Sequence, residues 1–251
     1  MAERGLRFEF EWRITAFTVI LLPLFIGLGF WQLQRAQEKQ ALGALFEARQ
    51  QAQPAALPAL ADAPAQELAY RPVQLAGQFD PRYFLLDNRM QGGRYGNEVV
   101  QLFHLTAGGS ALVNRGWVAA DPARRQLPDV ATPAGELSLS GQVYVPPGEP
   151  YLLGEQQLGA DWPKRIQALQ MDVLGAELAD VDGLFPYSVR IDAGEPGALA
   201  VDWPVVNVSP AKHRGYALQW FTMAAALAII YLLRSSNLWQ LLRGGKDKTS
   251  D

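Results

Sequence analysis

Cysteine is absent from these 251 residues. That excludes disulfides, thiolate metal sites and covalent haem attachment, which needs Cys-x-x-Cys-His. The remaining sulfur sits on Met1, Met90, Met171 and Met223, too scattered for a soft copper(I) site. Charge is modest, with 22 Lys and Arg against 25 Asp and Glu, and no basic block forms. Nucleic acid therefore has no electrostatic footprint here and is not an expected partner. No nucleophile elbow, phosphate loop, Rossmann glycine pattern or metal-ligand cluster is present, so no enzyme is expected. Asp180 and Asp182 lie close together, but on an acidic, turn-like segment. Histidine is scarce as well: His104 and His213 are the two in the chain.

What the chain does have is two long apolar runs. Ile14 to Leu33 is 20 residues without a charge, and Tyr216 to Leu233 is 18. About 20 apolar residues cross a hydrocarbon core of ~30 Å, so both runs read as transmembrane helices. The first is too long for the h-region of a signal peptide and ends in Gly29-Phe30-Trp31-Gln32, not a small-x-small site. It is expected to be retained. Arg4, Arg7, Arg13, Arg234, Arg243, Lys246 and Lys248 outnumber Arg35, Lys39, Arg49, Lys212 and Arg214 on the loop side. The bias leans toward two cytoplasmic tails. With no transit-peptide composition before the first helix, the expected location is a bacterial inner membrane, with the segment between the helices periplasmic.

Between the runs, Gln34 to Ala52 has helix-forming composition and continues the first helix. Pro54, Pro58 and Pro64 then suggest an extended Ala/Pro linker. Alternating apolar segments follow at Val73–Phe79, Tyr83–Leu86, Glu98–Leu105, Ala111–Val118, Glu136–Val145 and Tyr187–Ile191. Glycines 108 and 109 make the third and fourth a hairpin. Lys164 to Val173 reads as one short helix. The expected fold is an α+β membrane protein, with N- and C-terminal transmembrane helices flanking a mainly antiparallel β domain. The expected divisions are a tail (1–13), a first membrane helix (14–33), the β-rich domain (34–213, with the helix extension and linker at 34–66), a second membrane helix (214–233) and a tail (234–251).

The candidate site lies where the helices meet the aqueous side. His213, Tyr216, Ala217, Trp220 and Ala224 follow helical spacing and share one face. A neutral imidazole there can ligate haem iron, with Tyr216 or Trp220 against the porphyrin. It can equally belong to an interfacial belt in which Trp and Tyr sit at headgroup level and Lys212 and Arg214 reach phosphates. Trp31 and Arg35 share a face at the end of the first run, at the same membrane surface as His213. The pair could frame a site between two helices, with Arg35 suited to a carboxylate; ordinary packing with a snorkelling arginine explains them too. Asn88-Arg89 and Asn114-Arg115 read as strand-end pairs, serving turns and ion pairs or binding an anion or a partner's carboxylate. His104, alone in a strand, reads as structural.

Four strings in order complete the reading. Gly29-Phe-Trp-Gln-Leu-Gln-Arg-Ala-Gln-Glu-Lys39, Arg71-Pro-Val-Gln-Leu-Ala-Gly-Gln-Phe-Asp80 with Leu86-Asp-Asn-Arg89, Leu112-Val-Asn-Arg-Gly-Trp-Val118 and His213-Arg-Gly-Tyr-Ala-Leu-Gln-Trp-Phe221 span nearly the whole chain. Together they resemble the surfeit locus protein 1 family of cytochrome c oxidase biogenesis factors, in a bacterial member. The resemblance implies a two-helix membrane anchor with a periplasmic domain and a role in maturing haem-copper oxidase subunit I by holding haem a. It implies His213 as the iron ligand; from their spacing, Trp31, Arg35, Tyr216 and Trp220 are expected to line the pocket. Partners would be subunit I, other oxidase or haem-synthesis assembly factors, and the lipid bilayer. A cofactor-free scaffold for subunit I is the alternative.

Overall fold

The computed structural model describes residues 8–146, 148–150, 152, 154–203 and 209–237. Arg4, Arg7, Arg243, Lys246 and Lys248, which bear on the orientation, lie outside the described residues, as does most of each expected tail. The chain divides into two compact units, Met1–Ala44 with Val205–Asp251, and Leu45–Pro204.

The first unit is a pair of helices. α1 runs from Trp12 to Gln50 and α4 from Pro210 to Arg234. Both are long and apolar enough to cross a membrane. At 1.5 Å per residue α1 is about 58 Å long, well beyond a ~30 Å hydrocarbon core. The expected extension past Leu33 is thus unbroken helix. α4 starts where its sequence says it should. The Ser209 side chain accepts a hydrogen bond from the Lys212 amide, and Pro210 fills the first turn, where no N–H partner is needed.

The two helices run antiparallel, because Thr15 Oγ1 lies 3.1 Å from Tyr231 Oη while Gln32 Oε1 lies 2.7 Å from His213 Nδ1. Small residues make the seam: Gly29, Ala36, Ala217 and Ala224 are all buried. Without side chains in the way, backbones approach closely and gain dispersion contacts that lipid does not offer. A Cβ on Gly29 would lie 2.6 Å from Phe221 Cε1. Gly29→Leu is therefore expected to force the helices apart. Thr15→Cys and Tyr231→Cys in this cysteine-free chain give the readout. A short bis-maleimide should bridge them in the parent and bridge them less than half as well with Gly29→Leu; equal yields would refute the seam.

The second unit is built on a closed ring of strands. β2 (Pro72–Gln91), β3 (Arg94–Leu105), β4 (Ser110–Ala119), β5 (Leu137–Tyr144) and β7 (Leu184–Ile191) pair in the order β2-β3-β4-β7-β5, and β5 returns to β2. Pairing is antiparallel except between β4 and β7 within the ring. The expected hairpin is β3–β4. The strands expected at Val73–Phe79 and Tyr83–Leu86 are one long β2, interrupted by a register shift between Phe79 and Tyr83. Its first half pairs with β5 and its second with β3, and Gly77 sits at the changeover, opposite both Leu137 and Leu105. The bulge bends the strand between its two halves.

Both faces of the β3–β4 hairpin are covered. Phe103, Ala111 and Val113 face one core with Val73, Leu75 and Val189. Val100, Leu102 and Leu112 face the other, with Phe84 and Ile166. Two-sided burial explains why these strands read as near-continuous apolar runs.

Two expectations are corrected. The Ala/Pro stretch is not an extended linker: it forms β1 (Ala55–Ala56), a 3-10 turn (Leu57–Leu60) and α2 (Ala65–Leu68). Leu57 and Leu68 are fully buried in the first core, and that burial overrides the breaking tendency of the prolines. Lys164 to Val173 is not one helix. Lys164–Ile166 is β6, parallel to Phe84–Leu86 of β2, and α3 spans Met171–Glu177. Lys164 is buried there because its Nζ donates to the Gly159 carbonyl at 2.6 Å and to the Glu177 carboxylate. Such pairing is what a buried ammonium requires.

Candidate functional site

The first unit positions the candidate site. His213 lies in the first turn of α4, half-buried on the side facing α1. Its Nδ1 is 2.7 Å from the amide oxygen of Gln32. An amide oxygen only accepts, so Nδ1 carries the proton. In the neutral ring the lone pair then lies on Nε2, which makes no hydrogen bond among the described residues. This arrangement, one ring nitrogen donating to a neighbour and the other left basic, is how proteins prepare histidine for a metal.

Two contacts define the flanks of the helix pair. Phe25 meets Trp220 on one side, with ring centroids 5.8 Å apart. Phe30 meets Phe221 on the other, at 5.4 Å, and Arg214 reaches Gln40 on that same side. At 3.6 residues per turn, Gln32, Trp31 and Arg35 project from α1 on the Phe25 flank. Tyr216 projects from α4 on the Trp220 flank, level with Trp31 in the antiparallel register. Gln32, Trp31, Arg35, His213, Tyr216 and Trp220 therefore share one flank.

The expectation of a site framed between the helices by Trp31 and Arg35 does not match this geometry. The seam is filled by small residues, and Trp31 (48% exposed) and Tyr216 (49% exposed) face outward. The Arg35 guanidinium lies 5.8 Å from the Trp31 ring and donates to Glu38 at 2.7 Å. That ion pair is exposed on both sides, so it holds Arg35 weakly. The arrangement is an open aromatic shelf with a histidine at its edge and a cation beside it.

Gln32 is the residue that sequence reasoning missed. Its signal was present: it is an amide near the end of a membrane-spanning run, where such groups seek partners on a neighbouring helix.

The Asn-Arg pair expected at the end of a strand is elsewhere. Asn114 and Arg115 lie in the middle of β4, and both are buried. Asn114 Nδ2 donates to Glu98 at 2.6 Å, and its oxygen accepts from the Gly116 amide at 3.1 Å. Arg115 donates to the carbonyls of Gly197 (2.7 Å) and Ala131 (3.1 Å) and to Gln101, and lies over the Phe79 ring. Trp117 Nε1 donates to the Arg89 carbonyl at 3.0 Å. The Asn-Arg-Gly-Trp string ties loops to the ring; Arg115 offers nothing to an anion outside.

His104 completes a chain of contacts. Its Nδ1 is 3.0 Å from Ser110 Oγ and its Nε2 is 3.0 Å from Asp80 Oδ2. These are the residue types of a hydrolytic triad, but Ser110 is only 3% exposed and Asp80 is also held by Arg82 at 2.9 Å. The chain pins β2 to the β3–β4 hairpin. Partial burial raises the Asp80 pKa, but hydrogen bonds from Arg82 and His104 outweigh it and hold the carboxyl at about 2. A carboxyl lowered in the folded state adds stability above its unfolded pKa of about 4, and that stability is lost as pH falls through the folded value. The thermal midpoint is expected to fall between about pH 4 and pH 2, and less so in Asp80→Asn; identical profiles would refute the linkage.

With the geometry in place, comparison with known proteins decides the family. A family model described as the SURF1 family matches residues 19–225. The chain belongs to the SURF1 family. It is 29% identical over 238 residues to human Surfeit locus protein 1, covering 85% of this chain and 75% of that protein. A SURF1-like protein of Rickettsia felis is 27% identical over 241 residues, covering 88% of this chain and 96% of its own length. The mouse Surfeit locus protein 1 is 28% identical over 235 residues, covering 86% of this chain and 73% of that protein. SURF1 proteins are known as cytochrome oxidase assembly factors. The match runs through both helices and the ring, so the His213 flank and the Asn114–Trp117 string both lie in SURF1-matched sequence.

Proposed function

We propose that this SURF1 chain is an assembly factor of a bacterial inner membrane that holds haem a on the His213 flank and assists its insertion into oxidase subunit I. The observation that carries the reading is the Gln32–His213 hydrogen bond, which leaves Nε2 basic and unengaged among the described residues. His213 supplies the iron ligand. Trp31, Tyr216 and Trp220 give flat aromatic surface to a porphyrin, and Arg35, released from its exposed pair with Glu38, meets a propionate. Iron and ring chemistry belong to the haem; the protein orients and shields it. One protein ligand and an open shelf suit a carrier that must let go. The β domain faces the periplasm and, with the exposed helix faces, meets subunit I and other assembly factors.

The test is to purify the full chain from cells making haem a and record its absorption spectrum. The parent is expected to show a Soret band that His213→Ala abolishes. Gln32→Leu is expected to keep the band but bind haem 10–100-fold more weakly, the usual cost of losing a ligand's hydrogen-bond partner. A band unchanged in His213→Ala removes His213 from the ligand role. A parent without haem that still supports oxidase assembly indicates the cofactor-free scaffold.

A further inference from the structure

Arg190 is the one cation of the β domain whose guanidinium, among the described residues, meets aromatic rings but no hydrogen-bond or ion-pair partner. It sits near the C-terminal end of β7. Its Cζ is 3.6 Å from the centroid of the Tyr144 ring and 4.9 Å from that of Trp203. Trp203 is itself anchored by its Nε1, which donates to the Ile191 carbonyl at 2.8 Å. Stacking occupies the faces of a guanidinium and leaves its N–H edge for in-plane bonding. Arg190 Nε is buried without a hydrogen-bond partner, and so is Arg89 Nε. A buried donor left unmade costs on the order of 1–3 kcal/mol, so two in one place call for an explanation.

Both arginines line the same cavity of about 290 Å³, together with Leu86, Tyr144, Gln167 and Leu169. Among the described residues no carboxylate lines it. The nearest candidate, Glu98, is already engaged: one oxygen is 3.5 Å from Arg89 Nε and the other accepts from Asn114 at 2.6 Å. Burial lowers the Arg190 pKa, against the opposing pull of Tyr144, Glu98 and Tyr70, and the like charge of Arg89 adds a smaller lowering. The lining thus presents two cations, with the one nearby carboxylate, Glu98, outside it and shared with Asn114, in a wall that is otherwise largely apolar.

We propose that the cavity between Arg89 and Arg190 binds a carboxylate carried on a small apolar body, the carboxylate on the two guanidinium edges and the body against Leu86, Leu169 and Tyr144. Guanidinium forks take carboxylate and phosphate alike, but the largely aliphatic and aromatic lining offers little to a phosphate's further charged oxygens and suits the apolar body of a carboxylate. The volume admits a compact ligand or the last residue of a peptide. The proposal is independent of haem, and concerns the β domain alone.

The experiment is calorimetric titration of the purified full chain with benzoate, benzamide, phosphate and a short apolar peptide with either a free or an amidated C-terminus. Benzoate is expected to bind saturably and at least tenfold more tightly than benzamide or phosphate. A preference for the free-acid peptide over benzoate identifies a polypeptide terminus as the natural source, and the reverse identifies a small acid. Arg190→Gln and Arg190→Lys should each weaken benzoate at least tenfold, the lysine because it keeps the charge but loses the fork. Arg89→Gln, at a half-exposed position, should weaken it several-fold with the fold intact, which covers the case in which Arg190 variants fail to fold. Equal binding of benzoate and benzamide, phosphate binding as tightly as benzoate, or benzoate affinity unchanged in Arg89→Gln would each overturn the proposal.

Discussion

Gly77→Ala is expected to be the most damaging small substitution in the β domain. A Cβ at that position would lie 1.9 Å from the backbone carbonyl oxygen of His104 and 2.9 Å from its carbon. Neither atom can swing away as a side chain could, because β3 is paired on both edges. Gly77 is also where β2 changes neighbours, so a shift of the backbone there opens both the β2–β3 and the β2–β5 ladders. The expected loss is about 4–5 kcal/mol, the upper end of single-substitution effects and a large share of a domain's stability. Urea unfolding of the full chain, followed by tryptophan fluorescence, measures it. A parent-like midpoint would mean that the strands are not in this contact. By contrast Gly92→Ala, in the β2–β3 turn with no atom within 4 Å, should cost far less, reflecting only the positive φ of 56°.

Arg115→Met ranks next, with an expected loss of about 2–4 kcal/mol. Arg115 is 3% exposed, and burial pulls its pKa down to about 10, so the group remains cationic at neutral pH while its hydration is lost. Oxygen acceptors on Gly197, Ala131 and Gln101 and the face of Phe79 stand in for the missing water. Methionine fills much of the volume but leaves those oxygens without a donor. Arg115→Lys should recover little, since one ammonium cannot span three acceptors set by a planar fork. Arg89→Met serves as the control and should lose clearly less than Arg115→Met, since Arg89 is half-exposed and holds one 3.5 Å pair with Glu98. Chemical denaturation with these three variants decides between a structural and a docking role: a docking arginine would leave the midpoint in place and change only what co-purifies.

Much of this was legible from pattern. The two helices announced themselves by uninterrupted apolar length, and β3, β4, β5 and β7 by alternation or buried runs between turn residues. The hairpin at glycines 108 and 109 was readable for the same reason. Proline misled at 54 to 64, because local breaking tendency says nothing about Leu57 and Leu68 joining a core with Phe103, Val113 and Val189. Lys164 misled because a charged residue reads as a surface position until its partners, Gly159 and Glu177, are known. Arg115 read as a surface group for that reason as well. At the candidate site the shared face of His213 and Trp220 was readable from helical spacing. Gln32 was not assigned, since the pairing that gives it meaning joins residues 181 apart in the chain. Nor was the outward direction of Trp31 and Arg35, which depends on which face of α1 the small residues of α4 select.

Closure of the ring has a further bearing on how this domain can recognise anything. Proteins with an open sheet can recruit an extended segment by lending it a strand edge. Here β5 and β7 spend both edges on their neighbours. The stretch of β2 beyond β6, Asp87–Gln91, carries a register shift, a left-handed Asn88 (φ 57°) and the charge of Arg89, all of which discourage strand addition. With β1 and β6 offering edges of only two and three residues, recognition by the ring is left to side chains and loops, where a single substitution can retune specificity without touching the architecture.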